Sequence, residues 1–534
     1  MRHRVVLVLV FLAACAPSTI TTRTTPAPAL RADELRRDLT VFASDSFLGR
    51  ETGTPSANRA ARFLVDRLMA LRLEPAGDSL YYQRVPLIRD VFTPQTRFTV
   101  TQGQVVATLG IGSEVAPVVS LGPGAAVKRS ATGDLFFAGY GMNTLGRNDF
   151  KGITDEGKAL VIVHAAPPSV ADAATREKLE SQAELEQRLL RALVMRPSAI
   201  IVVMTGGTHD FFYQAIPQLM RNVSAVPGDQ TTSDAQRPLP MVLFAIARPG
   251  SPLLPTNWPN DDAPQALAGR RFSGLIDVRH EPFTAYNVVA IVRGTDPRLN
   301  KTYVAFGAHY DHVGIQTGLK PDSIANGADD DGSGSVTMLG VAKSLMAARP
   351  RRSAIFVWHV GEEKGLLGSE YFTDHPTVPI DSIVAQLNAD MIGRRGGPTA
   401  TFDSRVNGAS AADRLYIVGP NAAPNNQSKA LGAVLDSVNA KQARPLRLDH
   451  EWDTPTHPER IYYRSDHYNY ARKGIPIVFF TTGLHEDYHK VSDEPQKIDY
   501  QKLQKVTRTV YLTLWEIAMR RVRPKIDKQL PAGM

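Results

Sequence analysis

The chain has 534 residues, with 61 Lys+Arg against 53 Asp+Glu, 43% apolar and 21% charged residues, and one cysteine. This excludes a disordered chain, a small disulfide scaffold and a protein of many membrane spans, and the length provides for more than one hydrophobic core. The net charge of +8 is scattered rather than gathered into a basic, aromatic-interleaved stripe, so nothing marks a nucleic-acid interface.

Arg2 and Arg4 precede an apolar stretch from Val5 to Leu12 that is too short for a permanent bilayer span. With the small residues that follow, this predicts an export signal over residues 1–15. Leu12-Ala13-Ala14-Cys15 resembles the bacterial lipoprotein box, which implies a lipid anchor at Cys15 and a place in the bacterial cell envelope, facing the periplasm or the exterior. The folded part then has no thiol, so any metal must be held by His, Asp and Glu. Residues 16–30, rich in Thr, Pro and Ala, predict a flexible tether.

From 31 to 124, helical spacing comes first. Leu35, Leu39 and Phe42, then Ala61, Leu64, Leu68 and Leu71, recur at three and four residues, with the loop Ser46–Gly53 between the two helices. Alternation from Tyr81 to Val119 predicts strands. Residues 125–275 read as an inserted domain with strands at Ala159–Val163 and Ala199–Val203, bracketed by Pro- and Gly-rich stretches such as Pro249-Gly250-Ser251-Pro252. Over 276–534, apolar β runs alternate with helices, the pattern of an α/β sheet buried on both faces.

Four of those runs lead into metal-competent side chains. Tyr303–Ala308 leads to His309, Ala354–Gly361 to Glu362 and Glu363, Ile383–Ala389 to Asp390, and Ile475–Phe480 through a short loop to His489. Ligands of open α/β sheets bind beyond the carboxyl ends of the strands, so these groups are expected to share one cleft. A fifth element, Asn326–Gly334, carries Asp329, Asp330 and Asp331 ahead of a helix from Val336 to Met346. Three adjacent carboxylates repel one another, but beside a divalent cation their charge becomes useful. An all-N/O donor set suits zinc, with manganese or cobalt less suited, and several carboxylates favour two ions over one. Neighbouring side chains point in different directions, so one of Glu362 and Glu363 can ligate while the other serves as general base.

At these residues the chain is similar to the co-catalytic zinc aminopeptidases of peptidase family M28, the aminopeptidase Y type. The similarity rests on Gly307-Ala308-His309-Tyr310-Asp311-His312, Gly327–Gly334, Gly361-Glu362-Glu363, Asn388–Gly393 and Asp487-Tyr488-His489, and runs from about Asn287 to Tyr500. Upstream, Leu48–Gly53 resembles the family's N-terminal helical region, and 125–275 more loosely resembles an inserted, mainly β protease-associated domain. The resemblance implies a mixed β-sheet flanked by helices. His309 and Asp390 would hold one zinc, Glu363 and His489 the other, and Asp330 would bridge them. Glu362 would be the general base, Asp311 would orient His309, and the Asp330–Asp331 peptide bond would be cis. His312, His359 and His485 match no ligand position and read as structural or rim residues.

The implied activity is removal of N-terminal residues from peptides by attack of zinc-activated water. Carboxypeptidase or other amidohydrolase chemistry at the same dizinc site, and a non-catalytic binding ectodomain, are the alternatives. Arg464, near the last ligand loop, reads first as a partner in a structural ion pair; offered instead to a substrate carboxylate, it would favour C-terminal or acidic recognition. The side-chain preference, the contribution of Trp452 or Tyr462 to a pocket, and the oligomeric state stay open at this level.

Overall fold

The computed structural model describes residues 30–118, 127–153, 156–205, 220–225, 240–246, 250–316, 321–395, 413–420, 428–454, 457 and 459–527. The expected export signal, Cys15 and the tether lie outside them. Among the described residues no helix is long and apolar enough to cross a membrane.

Helix α1 (Ala32–Phe42) buries Leu35, Leu39 and Phe42. Helix α2 (Pro55–Ala70) starts with Pro at its first turn, where the missing N–H is not needed, and buries Ala57, Ala60, Ala61, Leu64 and Leu68. Strand β1 (Tyr82–Phe92) pairs antiparallel with β2 (Gln265–Val292), a 28-residue strand that runs from one core into the other.

The end of β2 pairs antiparallel with β4 (Ser353–His359), which lies parallel to β3 (Tyr303–His309), in register from Tyr303 opposite Ser353 to His309 opposite His359. Next come β5 (Ile383–Ala389), parallel to β3, and β7 (Ile477–Thr481), parallel to β5. Strand β6 (Arg414–Val418) closes against β7 antiparallel. This is a mixed sheet. Its four parallel strands end on one edge, and every residue of β3, β4, β5 and β7 is buried, which explains why they read as unbroken apolar runs.

Side chains alternate between two cores. Val304, Phe306 and Ala308 join α1, α2, α3 (Gly334–Ala347) and α4 (Tyr500–Met519) on one face, while Tyr303 and Ala305 join Ile355, Phe372 and Tyr470 on the other.

A further core is built around Val161, Ile201 and Leu243, from strands Ala159–His164, Ala199–Met204 and Met241–Ile246, which lie parallel to one another. It also takes in Phe98, Val100, Leu109 and Val115, together with Ile276 and Val278. Residues 97–118 therefore pack with these three strands, although spacing grouped them with the preceding segment. Periodicity shows that a strand exists but not which sheet it joins.

Candidate metal centre

The parallel edge delivers the expected groups to one place. Nε2 of His309, at the end of β3, lies 3.3 Å from Asp330 Oδ1, 3.6 Å from Asp390 Oδ2 and 3.9 Å from Glu362 Oε2. Nε2 of His489 lies 3.3 Å from Asp330 Oδ2 and 2.9 Å from Glu363 Oε2. Asp330 thus stands between two groups of donors, one carrying His309 and Asp390, the other Glu363 and His489. Ligand atoms of His309, Asp330 and Asp390 fall within 4.8 Å of one another, as do those of His312, Asp330 and Glu363.

The Asp-rich loop is not a solvated turn. Asp329, Asp330 and Asp331 are all buried, and each has its own task. Asp329 Oδ1 accepts from Gly393 N, and its other oxygen lies 3.2 Å from His485 Nε2. Asp331 accepts from the backbone N–H groups of His309, Gly334 and Met391, tying the ends of β3 and β5 to α3. Asp330 alone faces the cleft. Its peptide bond to Asp331 is cis, and its N–H, with that of Asp329, donates to Asp493 Oδ2.

The electrostatics follow from this crowding. Burial, only partly offset by His309, holds the Glu362 carboxyl well above the ordinary range, with Glu363 and Asp390 adding to the effect. Glu363 is buried too, but His489 and His312 outweigh the desolvation and bring it down to about 2. Burial also opposes charge on Asp330, yet His312, His309 and His489 hold it well below the carboxylate range. Adjacent carboxyls of the same type are thus driven in opposite directions, the pattern that separates an acid–base group from a permanent anion.

Several sites departed from expectation. Nδ1 of His309 lies 3.1 Å from the backbone oxygen of Asp311 but 3.9 Å from its carboxylate, so residue 311 supports the imidazole through its main chain. The Asp311 carboxylate instead accepts from Glu362 N and from Thr52 Oγ1. His312, read as structural or rim, sits inside the cluster with Nδ1 2.8 Å from Glu363 Oε1. It stands in the same motif as His309, and that proximity was the one available signal. Ser465, not singled out by any pattern, donates to Asp390 Oδ2 at 2.7 Å. His359 pairs with Asp466 and Tyr470 beneath the sheet edge, as a structural residue.

Beside the charged groups the cleft is walled by Met391, Trp452, Ile461, Phe479, Leu484 and Tyr488. Trp452 stacks flat on Tyr416 with centroids 4.1 Å apart, while Tyr462 is fully buried behind the wall. Arg464 reaches the same wall, donating to Tyr488 Oη at 3.3 Å and standing 3.7 Å from Glu459.

A divalent ion fits this donor set. Asp330 Oδ2 and His489 Nε2 are buried, face each other, and have no directed hydrogen bond among the described residues. Carboxylates and imidazoles converging on one point without hydrogen-bond geometry are what a cation relieves.

Comparison with known proteins agrees with the geometry. The model of Peptidase family M28 matches residues 287–514. The chain is 28% identical over 273 residues to a probable zinc metalloprotease of Pyrenophora teres, covering 46% of this chain and 54% of that protein. It is 31% identical over 211 residues to probable leucine aminopeptidase 2 of Aspergillus oryzae, covering 39% and 36%. The chain thus spans about half or less of the length of these curated relatives. Among solved structures, a zinc aminopeptidase from Bacillus subtilis superposes with a TM-score of 0.55 at 16% identity, covering 94% of this chain and 99% of that one. An aminopeptidase from Aneurinibacillus sp. strain AM-1 gives 0.53 at 15% identity, covering 94% and 96%. At such identities the likeness is one of fold.

Proposed function

We propose, from the match of residues 287–514 to the model of peptidase family M28, that the chain is a dizinc aminopeptidase, removing N-terminal residues from peptides. The observation that carries this reading is the placement of Glu362 and Asp330 between two donor groups, His309 with Asp390 and Glu363 with His489. Zinc held by His309, Asp330, Glu363, Asp390 and His489 would supply Lewis acidity toward a water molecule and the scissile carbonyl.

Glu362 is the group that moves protons. Its carboxylate takes a proton from the attacking water and returns it to the leaving amine, a dual role that suits a carboxyl raised by burial. Asp311 fixes the start of that residue by accepting its backbone N–H. Met391, Trp452, Ile461, Phe479 and Leu484 offer an apolar wall, which supports preference for an apolar N-terminal side chain. A second reading, carboxypeptidase action, would need Arg464 to offer a free guanidinium to a substrate carboxylate, and here it already faces Glu459 and Tyr488.

The test compares leucyl and other aminoacyl chromogenic substrates with their N-acetylated forms, alongside zinc content of the purified protein. Cleavage of unblocked substrates alone, with about two zinc ions per chain, is expected. Preferential cleavage of blocked peptides that bear a free C-terminus would transfer the assignment to the second reading. Residues 2–15 further support export and anchoring at Cys15. Detergent phase partitioning checks this: the full-length protein should enter the detergent phase and the Cys15→Ala variant should not.

A further inference from the structure

The segment Leu48–Thr52 lies between α1 and α2, outside the catalytic strands. Leu48, Gly49 and Arg50 nevertheless all take left-handed conformations, with φ of 47°, 66° and 50°, which costs energy at the two residues that carry a side chain. At Gly49 a Cβ would stand 2.4 Å from Ala325 O, so the backbone is pressed against the strand leading to the Asp-rich loop. A strained turn held this close must be fixed by its surroundings.

Three consecutive side chains leave this turn and reach three segments of the centre between them. Arg50 is fully buried and donates to the backbone oxygens of Tyr310, Asn326 and Gly327 at 2.8, 2.6 and 2.9 Å, reaching Asp330 O at 3.4 Å. Glu51 Oε1 lies 3.1 Å from Lys364 Nζ, just past Glu362 and Glu363, while its Oε2 lies 2.8 Å from Arg221 Nη1. Thr52 Oγ1 donates to Asp311 Oδ2 at 2.8 Å, and Asp311 Oδ1 accepts from Glu362 N at 3.2 Å. Sequence separations of 259 to 313 residues are bridged by one tripeptide.

We infer that Arg50, Glu51 and Thr52 are positioning residues that set the mutual placement of the Asp330 loop, the His309–His312 segment and the Glu362–Glu363 turn. This rests on the reading above, in which those loops hold the ions and the base. A buried guanidinium is expensive to desolvate, and every hydrogen bond Arg50 makes among the described residues goes to a backbone carbonyl, so it ties together the segments that carry those carbonyls. With Thr52 in place both oxygens of Asp311 are engaged; without the hydroxyl, a fully buried carboxylate oxygen is left bare and the carboxylate that anchors Glu362 is free to turn. Displacement of a catalytic group by a fraction of an ångström already slows chemistry.

The experiment uses the full chain with Thr52→Val, which keeps the shape, and Thr52→Ser, which restores the hydroxyl. The readouts are kcat, KM, metal content and the visible absorption bands of the cobalt(II)-loaded protein. In Thr52→Val we expect kcat to fall about tenfold or more, KM to stay within about twofold, two ions to be retained and the cobalt bands to shift. Thr52→Ser should stay within about twofold of wild type in each.

Wild-type kcat and bands in Thr52→Val, or equal impairment of Thr52→Ser, overturns the inference. Should Thr52→Val fail to fold, Arg221→Met tests the Glu51 arm from the partly exposed side. Shifted cobalt bands there support the inference and unchanged bands sink it. If the wild type binds two ions yet cleaves no aminoacyl substrate, the functional proposal fails, and the cobalt comparison still decides on positioning.

Discussion

Glu362 and Glu363 are neighbours with opposite fates, and the cause is which imidazoles each one faces. Glu363 lies 2.8 Å from His312 and 2.9 Å from His489, whereas the nearest ring nitrogen to Glu362 is that of His309 at 3.9 Å. One is held as an anion; the other is left able to take a proton. Glu362→Gln removes that capacity while keeping size and polarity. It should lower kcat by about two to four orders of magnitude and leave zinc content unchanged, as read by steady-state kinetics and metal analysis. A variant that keeps wild-type turnover would remove Glu362 from the reaction. At this scale the residue types were readable, since His309, Asp330, Glu363, Asp390 and His489 stand in recognisable motifs. His312 and Ser465 were not, because their roles depend on what lies opposite them and not on what flanks them.

The element that aligns the centre is the parallel edge of β3, β4, β5 and β7, whose apolar runs announced it. Just behind that edge, and in the second core, are histidines that resist ionisation. Burial pushes His467, stacked on Phe479 at 4.5 Å, down to about 4 from 6.5, and in the separate core around Val161 burial followed by the adjacent Arg188 does the same to His164. The unfolded chain binds these protons near pH 6.5 and the folded chain refuses them, so stability is whole above that pH and falls as pH drops toward 4. Each site contributes about 3 kcal/mol over the full interval. Urea unfolding at pH 7.5 and pH 5 should show the loss, and the His467→Gln variant should show a smaller difference between the two pH values. An equal difference in variant and wild type would contradict the assignment.

For the whole molecule, the centre gathers loops from four strand ends, the Asp-rich turn and the segment between α1 and α2, so bound metal links the parts of the principal core. An ion that binds only the folded form stabilises it by mass action, about 4 kcal/mol at a thousandfold excess over its dissociation constant. Chelation should therefore lower the melting temperature seen by calorimetry, and added zinc should restore it. Equal melting with and without metal would show that the donors do not hold an ion.

Strand runs, helix periods and chemically charged motifs were open to a linear reading because each depends on neighbours within a few residues. The recruitment of residues 97–118 to the core around Val161, Ile201 and Leu243, the apolar wall containing Trp452, and the clamp made by Arg50, Glu51 and Thr52 were not. Buried polar groups must find partners wherever the folded backbone brings them, and Arg50 finds carbonyl oxygens 260 to 280 positions away. No local pattern encodes such a meeting; packing of the complete chain does.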